Sequence, residues 1–448
     1  MHHTTAPITT ATTTGNPQQA VMRKVSRRLL GFLFACFVLS FLDRINIGFA
    51  GLTMMGDLGL SSTQFGMATT LFYIAYIACG IPSNMALAKV GARKWIGSLM
   101  IAWGLASTAT LFATDAHSLY LLRILVGITE AGFLPGVLLY LTFWFPAAYR
   151  ARANALFMIA MPFTAGFGSA LSGLILGLDG TWGLHGWQWL FLLEGMPSVI
   201  MGLVVFYYLN DKPQQAHWLN AQEKQHLQHA LAADTPAATP TPEDKGPSLL
   251  REMLSPTVLM FSLVYFCLVN TLAMIAVWTP LIIKSISAAG SSNSTIGLLA
   301  MIPQVCTIIG MLVWGLHSDR TRERKWHLVL PMLVAAAGWM FTAYAGAPQV
   351  QLAGICMAAT GSYTAMSIFW TTPDQAMSFK ARAIGIAVIN AFGNIGSALN
   401  PLVVGWLKDL TQSFTAGIVY ATVLLVIGAL LTFLLPLPSS TPKPTPNL

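Results

Sequence analysis

Apolar residues run along this chain in twelve stretches of about twenty residues, without the two-residue alternation of half-buried strands. They cover residues 29–54, 63–88, 95–113, 118–144, 153–177, 186–209, 256–284, 294–316, 327–346, 349–372, 383–406 and 415–436. At a rise of about 1.5 Å per residue, each is long enough as a helix to cross a hydrocarbon layer about 30 Å thick. Inside that layer every backbone donor and acceptor needs a partner within the protein, which helices supply along their own length. The pattern predicts an all-α membrane protein with twelve transmembrane helices, and it argues against a β-barrel.

A polar stretch rich in Pro, Ala, Thr and charge, residues 210–255, divides the runs into six and six. The expected organisation is an N-terminal tail (1–28), a six-helix bundle (29–209), a linker (210–255), a second six-helix bundle (256–436) and a C-terminal tail (437–448). Short matches in order support a duplicated plan. Lys89-Val-Gly-Ala-Arg-Lys-Trp95 pairs with Arg320-Thr-Arg-Glu-Arg-Lys-Trp326, Arg150-Ala-Arg-Ala with Lys380-Ala-Arg-Ala, and Gly168-Ser-Ala-Leu-Ser with Gly396-Ser-Ala-Leu-Asn, at offsets of 228 to 231 residues. Two pseudo-symmetric halves favour alternating access about a midplane site, the plan of secondary transporters. In the fourth run Gly132, Pro135 and Gly136 follow Glu130 and could bend the helix there, or serve packing alone.

Composition agrees: 55% of the 448 residues are hydrophobic and 9% are charged, against about 25% charged in soluble domains. The net charge of +8 could suggest nucleic acid, but the placement of the bases excludes that reading. With the N-terminus inside, only Lys284 and Lys408 of the 24 bases fall outside, and Arg44 and Arg123 lie within the membrane. This is the positive-inside distribution, and it puts both termini in the cytoplasm. The five cysteines lie in apolar runs without CxxC spacing, and the nine histidines lie at run ends or in polar segments. Neither a disulfide framework nor a metal site is expected, no cofactor is implied, and no nucleophile with a positioned base points to an enzyme. The Thr-rich start reads as disordered, with no cleaved signal peptide.

The candidate chemistry is the set of charges inside the apolar runs. A charged side chain at bilayer depth costs at least about 2.5–3.5 kcal/mol and normally faces a polar cavity or a partner. Arg123 and Glu130 are seven apart, about 10.5 Å of rise on nearly one face, and can line one cavity at two depths. Arg123 offers a fork of donors suited to a carboxylate. Glu130, buried without an evident partner outside the membrane, is the candidate proton carrier. Asp43 and Arg44 diverge by about 100° on their helix, so both cannot face one cavity squarely. Asp43 is a second candidate for proton coupling or gating, and Arg44 a partner for its neighbour or a second anion contact. The same charges could instead form a structural ion-pair network. Glu194 lies nearer a membrane face and reads as structural. Tyr73, Tyr76, Asn270, Trp278, Trp370, Asn390 and Asn394 offer aromatic faces and amides at bilayer depth, with Asn390 and Asn394 one turn apart.

Asp43-Arg-Ile-Asn-Ile-Gly-Phe-Ala50, the Arg123 to Glu130 helix, Gly186-Trp-Gln-Trp-Leu-Phe-Leu-Leu-Glu-Gly195 and Gly315-Leu-His-Ser-Asp-Arg320 resemble the major facilitator superfamily, in its anion:cation symporter branch. The likeness runs from about Met22 to Leu435. Thr129-Glu-Ala-Gly-Phe-Leu-Pro-Gly136, Phe369-Trp-Thr-Thr-Pro-Asp-Gln375 and Ala383-Ile-Gly-Ile-Ala-Val-Ile-Asn390 are similar to bacterial permeases for 4-hydroxyphenylacetate. The resemblance implies the major facilitator fold and a monomer in the bacterial inner membrane that imports a small organic anion with protons. The implied substrate is 4-hydroxyphenylacetate or a related aromatic acid; the alternatives are phthalate, tartrate or a sugar acid, or a substrate-sensing receptor on the same scaffold. It singles out Tyr76, Trp370 and Asn390 as substrate contacts, and Asp319, Arg320 and Arg324 as a conformational latch. The family's loop motif carries an acid before its basic cluster; Asp319 supplies it in the second half, but Ala88 stands there in the first, which puts an equivalent first-half latch in doubt.

Overall fold

The computed structural model describes residues 17–233, 255–377 and 379–435. The expected tail segments 1–16 and 437–448 and linker residues 234–254 lie outside the described residues. Twelve helices are long and apolar enough to cross a membrane, at the twelve predicted places. In the N-terminal half they are α1 (Pro17–Asp57), α2 (Ser62–Val90), α3 (Ala92–Ala109), α4 (Ala116–Glu130) continued by α5 (Phe133–Trp144), α6 (Ala147–Ile175) and α7 (Gly186–Tyr208), followed by the polar α8 (Ala221–Ala233). The C-terminal half contains α9 (Pro256–Ile286), α10 (Asn293–Thr321), α11 (Lys325–Tyr344), α12 (Pro348–Phe369), α13 (Phe379–Thr411) and α14 (Thr415–Leu434).

Local chemistry sets the helix starts. Ser61 caps α2 by accepting the Gln64 N–H at 3.1 Å, while the Gln64 side chain returns a bond to the Ser61 N–H at 2.9 Å. Asp115 caps α4 in the same way through Ser118, and the bonds from the Ser118 backbone and hydroxyl hold the Asp115 carboxyl below its usual range.

The fourth span is two helices. Gly132 adopts φ +89°, a left-handed conformation that L side chains resist, and a Cβ there would lie 2.6 Å from Ser83 Cβ. The chain therefore breaks directly after Glu130, which becomes the last residue of α4.

The start of the expected linker is a packed part of the N-terminal half. Trp218 stacks on Trp144 with ring centres 5.5 Å apart, and Arg28 lies over the Trp218 ring at 5.1 Å. Leu227 is buried, and Lys24 pairs with Glu223 at 2.8 Å. Polarity marked this segment as a spacer because one helix face is solvated, but the other face is covered by α1 and α5.

The described contacts between the halves gather at one end, away from the basic helix ends that carry Lys89, Arg93, Arg320 and Lys325. There, α6 crosses α10 so closely that a Cβ on Gly173 would sit 2.8 Å from Gly297 Cα. Lys284 Nζ donates to Leu52 O at 2.7 Å, and Thr70 Oγ1 donates to Ala398 O at 2.6 Å. Asp409 of α13 accepts from Ser62 N at 3.0 Å, Thr63 N at 2.7 Å and Thr63 Oγ1 at 2.6 Å, so a carboxylate of one half holds the positive start of a helix in the other. Toward the basic end α13 exposes three consecutive residues, Asn390, Ala391 and Phe392, while its other face packs on α9. The described contacts between the halves thus lie toward one face.

Asp409→Ala removes the acceptor of three bonds across this seam, at a cost of about 1.5–3 kcal/mol for a charge-assisted bond. Deuterium uptake by residues 61–70 should accelerate at least about tenfold in Asp409→Ala. Lys408→Ala, which removes an exposed bond to Gln412 O and a contact over the Phe414 ring but none to residues 61–70, should leave it unchanged. Equal protection in both variants would remove Asp409 from the seam.

Candidate functional site

The four intramembrane charges do not form one network. Arg44 of α1 bonds Glu130 at the end of α4 through both Nε, at 3.0 Å, and Nη2, and Ser40 Oγ donates to the same carboxylate oxygen at 3.3 Å. Glu130 therefore has its partner inside the membrane. The partner comes from a helix 86 positions earlier, which no local pattern could reveal. Its second oxygen, Oε2, is buried and unbonded. The break at Gly132 leaves this carboxylate at the C-terminal end of α4, where the helix dipole makes a nearby cation favourable.

Asp43 points the other way, as the helix geometry required. Its carboxylate accepts from Trp103 Nε1 at 3.1 Å and Ser107 Oγ at 2.8 Å, both on α3, and from Ser198 Oγ of α7 at 2.8 Å. Arg44 is thus the partner of Glu130 and not of its neighbour Asp43. The two acids thus have different surroundings, Asp43 among neutral donors and Glu130 in an ion pair.

Arg123 is 1% exposed, and none of its three guanidinium nitrogens has a hydrogen-bond partner among the described residues. Its charge lies 4.9 Å over the Phe72 ring, while Arg44 lies 4.8 Å over Tyr76. Cation–π contact offsets part of the desolvation cost of a guanidinium but supplies none of its five hydrogen bonds. With Glu130 neutralising one arginine, the Arg44, Arg123 and Glu130 group carries one positive charge in excess.

The C-terminal half faces these charges with rings. Tyr265 packs edge-on to Trp370 at 4.9 Å and stacks with Phe369 at 5.2 Å. Tyr265 is also within electrostatic reach of Tyr76 and Arg44, so α9 and α2 face each other across the gap between the halves. Asn394 Nδ2 donates to Asn390 O at 2.8 Å and to its side-chain oxygen at 3.2 Å, and Asn390 is exposed toward the basic end of α13. Tyr76, Trp370, Asn390 and Asn394 are therefore placed at or beside the gap. Asn270 and Trp278 are not. Asn270 bonds Tyr420 Oη, Gly396 O and Asn400 within its own half, and Trp278 is buried against Phe65 in the closed seam.

At the basic face Asp319 pairs with Arg324 at 2.8 Å, and Arg324 also bonds Ser318 Oγ at 2.7 Å. This ion pair is local to the turn between α10 and α11, and Arg320 makes no ion pair among the described residues. In the same turn burial works to raise the Glu323 carboxyl, but bonds from the Trp326 and His327 backbone and the His327 ring outweigh it and hold the group below its usual range. In the first half, where Ala88 replaces the acid, Asp211 enters from beyond α7 and accepts the Arg93 N–H at 2.8 Å. In the sequence Asp211 is simply part of the polar stretch 210–255, with nothing to mark this role. Sequence reasoning also missed the donors around Asp43, Phe72 under Arg123 and the Tyr265 ring. Ser107, Ser198 and Trp103 carry no motif, and only their convergence on one carboxylate marks them.

Comparison with known proteins follows the same lines. The family model described as Major Facilitator Superfamily matches residues 33–401 and 287–448. A candidate tartrate transporter of Agrobacterium vitis is 40% identical over 94% of this chain and 92% of its own length. The candidate metabolite transport protein NicT of Pseudomonas putida is 37% identical over 96% of this chain and 98% of its own. A bacterial homologue of the human lysosomal transporter Spinster, solved in an inward-facing, unoccupied conformation, superposes with a TM-score of 0.74 at 18% identity, covering 94% of this chain and 97% of that one, a likeness of fold.

Removing Arg44 would leave Glu130 as an uncompensated charge, so Arg44→Ala should destabilise the protein by about 3–5 kcal/mol. Arg44→Ala with Glu130→Gln should recover most of that loss in thermal unfolding of the purified protein. Additive losses in the double variant would mean that the pair contributes nothing beyond packing.

Proposed function

The chain belongs to the major facilitator superfamily, and on that premise we propose that it imports a small organic anion together with protons by alternating access. The observation that carries this reading is Arg123, a guanidinium buried at membrane depth with no hydrogen-bond acceptor among the described residues. A carboxylate would supply the missing acceptors and balance the excess positive charge. Glu130 gives the coupling. While ionised, it occupies Arg44; once protonated, it releases Arg44 to a second carboxylate contact. Substrate anion and Glu130 charge thus compete for one arginine, so binding favours proton uptake and release favours proton loss. Asp43 is a second site for proton binding.

The rings of Tyr76, Tyr265 and Trp370 support an aryl acid such as 4-hydroxyphenylacetate, with Asn390 and Asn394 near enough to the gap to bond a distal hydroxyl. A second reading, a hydroxylated dicarboxylate of the tartrate type, is favoured by the name of the Agrobacterium vitis relative and by the presence of two arginines. The basic face is assigned to the cytoplasm of a bacterial inner membrane, with both termini there and a monomer as the working unit.

Proteoliposomes with an imposed pH gradient should accumulate labelled substrate, and a sodium gradient alone should not. Equal drive by sodium alone would overturn proton coupling, and binding without sustained uptake would favour a receptor. In counterflow, 4-hydroxyphenylacetate should compete better than phthalate, tartrate or a sugar acid; the reverse order would select the second reading. Arg123→Lys keeps the charge but loses the planar fork, and should weaken substrate binding by about 1–3 kcal/mol, roughly 5- to 150-fold. Unchanged affinity in a folded variant would move the anchor to Arg44.

A further inference from the structure

The interface of α1 with α7 holds polar groups that the arginine site does not use. Glu194 is 1% exposed, accepts from Ser172 Oγ at 2.7 Å, and leaves Oε2 buried without a partner. The Asn46 side chain faces the Glu194 carboxyl, yet neither atom of its fully buried amide forms a proper hydrogen bond. One turn along α7, Ser198 donates to Asp43, which lies three residues before Asn46 on α1. One face of α1 and one face of α7 thus join two carboxyl groups through neutral side chains.

Every element packed on Glu194 is free of a cation there. Its titratable neighbour is Asp43 from α1, and Ser172 of α6 bonds it, while Asp43 in turn is bonded by Trp103 and Ser107 of α3 and by Ser198 of α7. Of the intramembrane bases, Arg44 is paired with Glu130, and Arg123 lies over Phe72 within electrostatic reach of Asp43 but not among the groups that act on Glu194. A buried carboxyl with no ionic partner can gain or lose a proton without breaking a salt bridge, whereas a bare second charge beside Asp43 would be costly. Farther from the basic face, Thr53 and Thr108 also leave buried hydroxyls unbonded. At the rim Asp57 pairs with His185 at 3.3 Å, both in contact with solvent.

We propose that Glu194, with Asn46, is a third proton-binding site in the membrane, passing protons between the seam-side face and Asp43 through the interior of the N-terminal half. The route is separate from the gap between the halves. A proton moving from Glu194 to an ionised Asp43 leaves the total charge of the pair unchanged, so no ion needs to enter the core. Substrate and proton can therefore reach the site by different paths, the proton while the seam is closed.

This inference rests on proton-coupled transport, and its test separates the two. Wild type, Glu194→Gln and Glu194→Asp are reconstituted in proteoliposomes containing a pH dye. Counterflow, uptake driven by a pH gradient and proton influx per substrate are each measured. Glu194→Gln should keep counterflow within about twofold while pH-driven accumulation and proton influx fall at least about tenfold, and Glu194→Asp should restore most of both. Full pH-driven accumulation by Glu194→Gln overturns the relay. Loss of counterflow and accumulation together, unrescued by Glu194→Asp, overturns it in favour of a packing role. A wild type indifferent to the pH gradient but active in counterflow instead removes proton coupling itself, and the relay with it.

Discussion

Neither the Arg44 guanidinium nor the Glu130 carboxylate could remain charged at its depth alone, because hydrocarbon solvates neither. Their bond therefore fixes more than two side chains. It ties α1 to the end of α4, and the break at Gly132 leaves Glu130 at a helix end, beside its partner. With Arg44 directed at Glu130, the turn of α1 points Asp43 at donors on α3 and α7. What remains is Arg123, a positive charge without an acceptor among the described residues. That unmatched charge is what supports the proposed binding of an anion.

The two halves divide the work although they share a plan. The intramembrane charges belong to the N-terminal half, while the C-terminal half contributes the rings of Tyr265, Phe369 and Trp370 and the amides of Asn390 and Asn394. Substrate held between them would touch charge on one side and π-surface on the other. Relative motion of the halves would then expose or bury that junction without rebuilding either wall. The closed end is held by a few directional contacts, chiefly Asp409 on the start of α2, and by close backbone crossings such as Gly173 with Gly297. Few strong bonds and a small-residue seam suit an interface that must open.

The corresponding turns of the two halves place their acids differently. The second half has an acid in its own turn, Asp319, paired with Arg324. The first half has Ala88 at the equivalent place, and Asp211 reaches the same turn from after the sixth span. Both turns thus hold a carboxylate, supplied from different sequence positions. This ties the start of the linker to the N-terminal half, in keeping with the packing of Trp218 and Leu227.

Length and hydropathy determined the twelve helices, their approximate limits and the six-and-six division, because a bilayer imposes one length and one polarity on whatever crosses it. Cost determined which residues matter: Asp43, Arg44, Arg123 and Glu130 stood out because each is expensive in hydrocarbon. Helical spacing even showed that Asp43 and Arg44 must diverge. Pairing was decided by tertiary structure. Arg44 meets Glu130 across 86 residues, Asp43 finds Ser198 across 155, and Ser62 and Thr63 find Asp409 across more than 340. Serines and tryptophans at ordinary apolar-run positions become ligands of a carboxylate only when α1, α3 and α7 are brought together. Helical periodicity fixes the face a side chain occupies on its own helix, but the identity of the opposing helix depends on how the whole bundle packs.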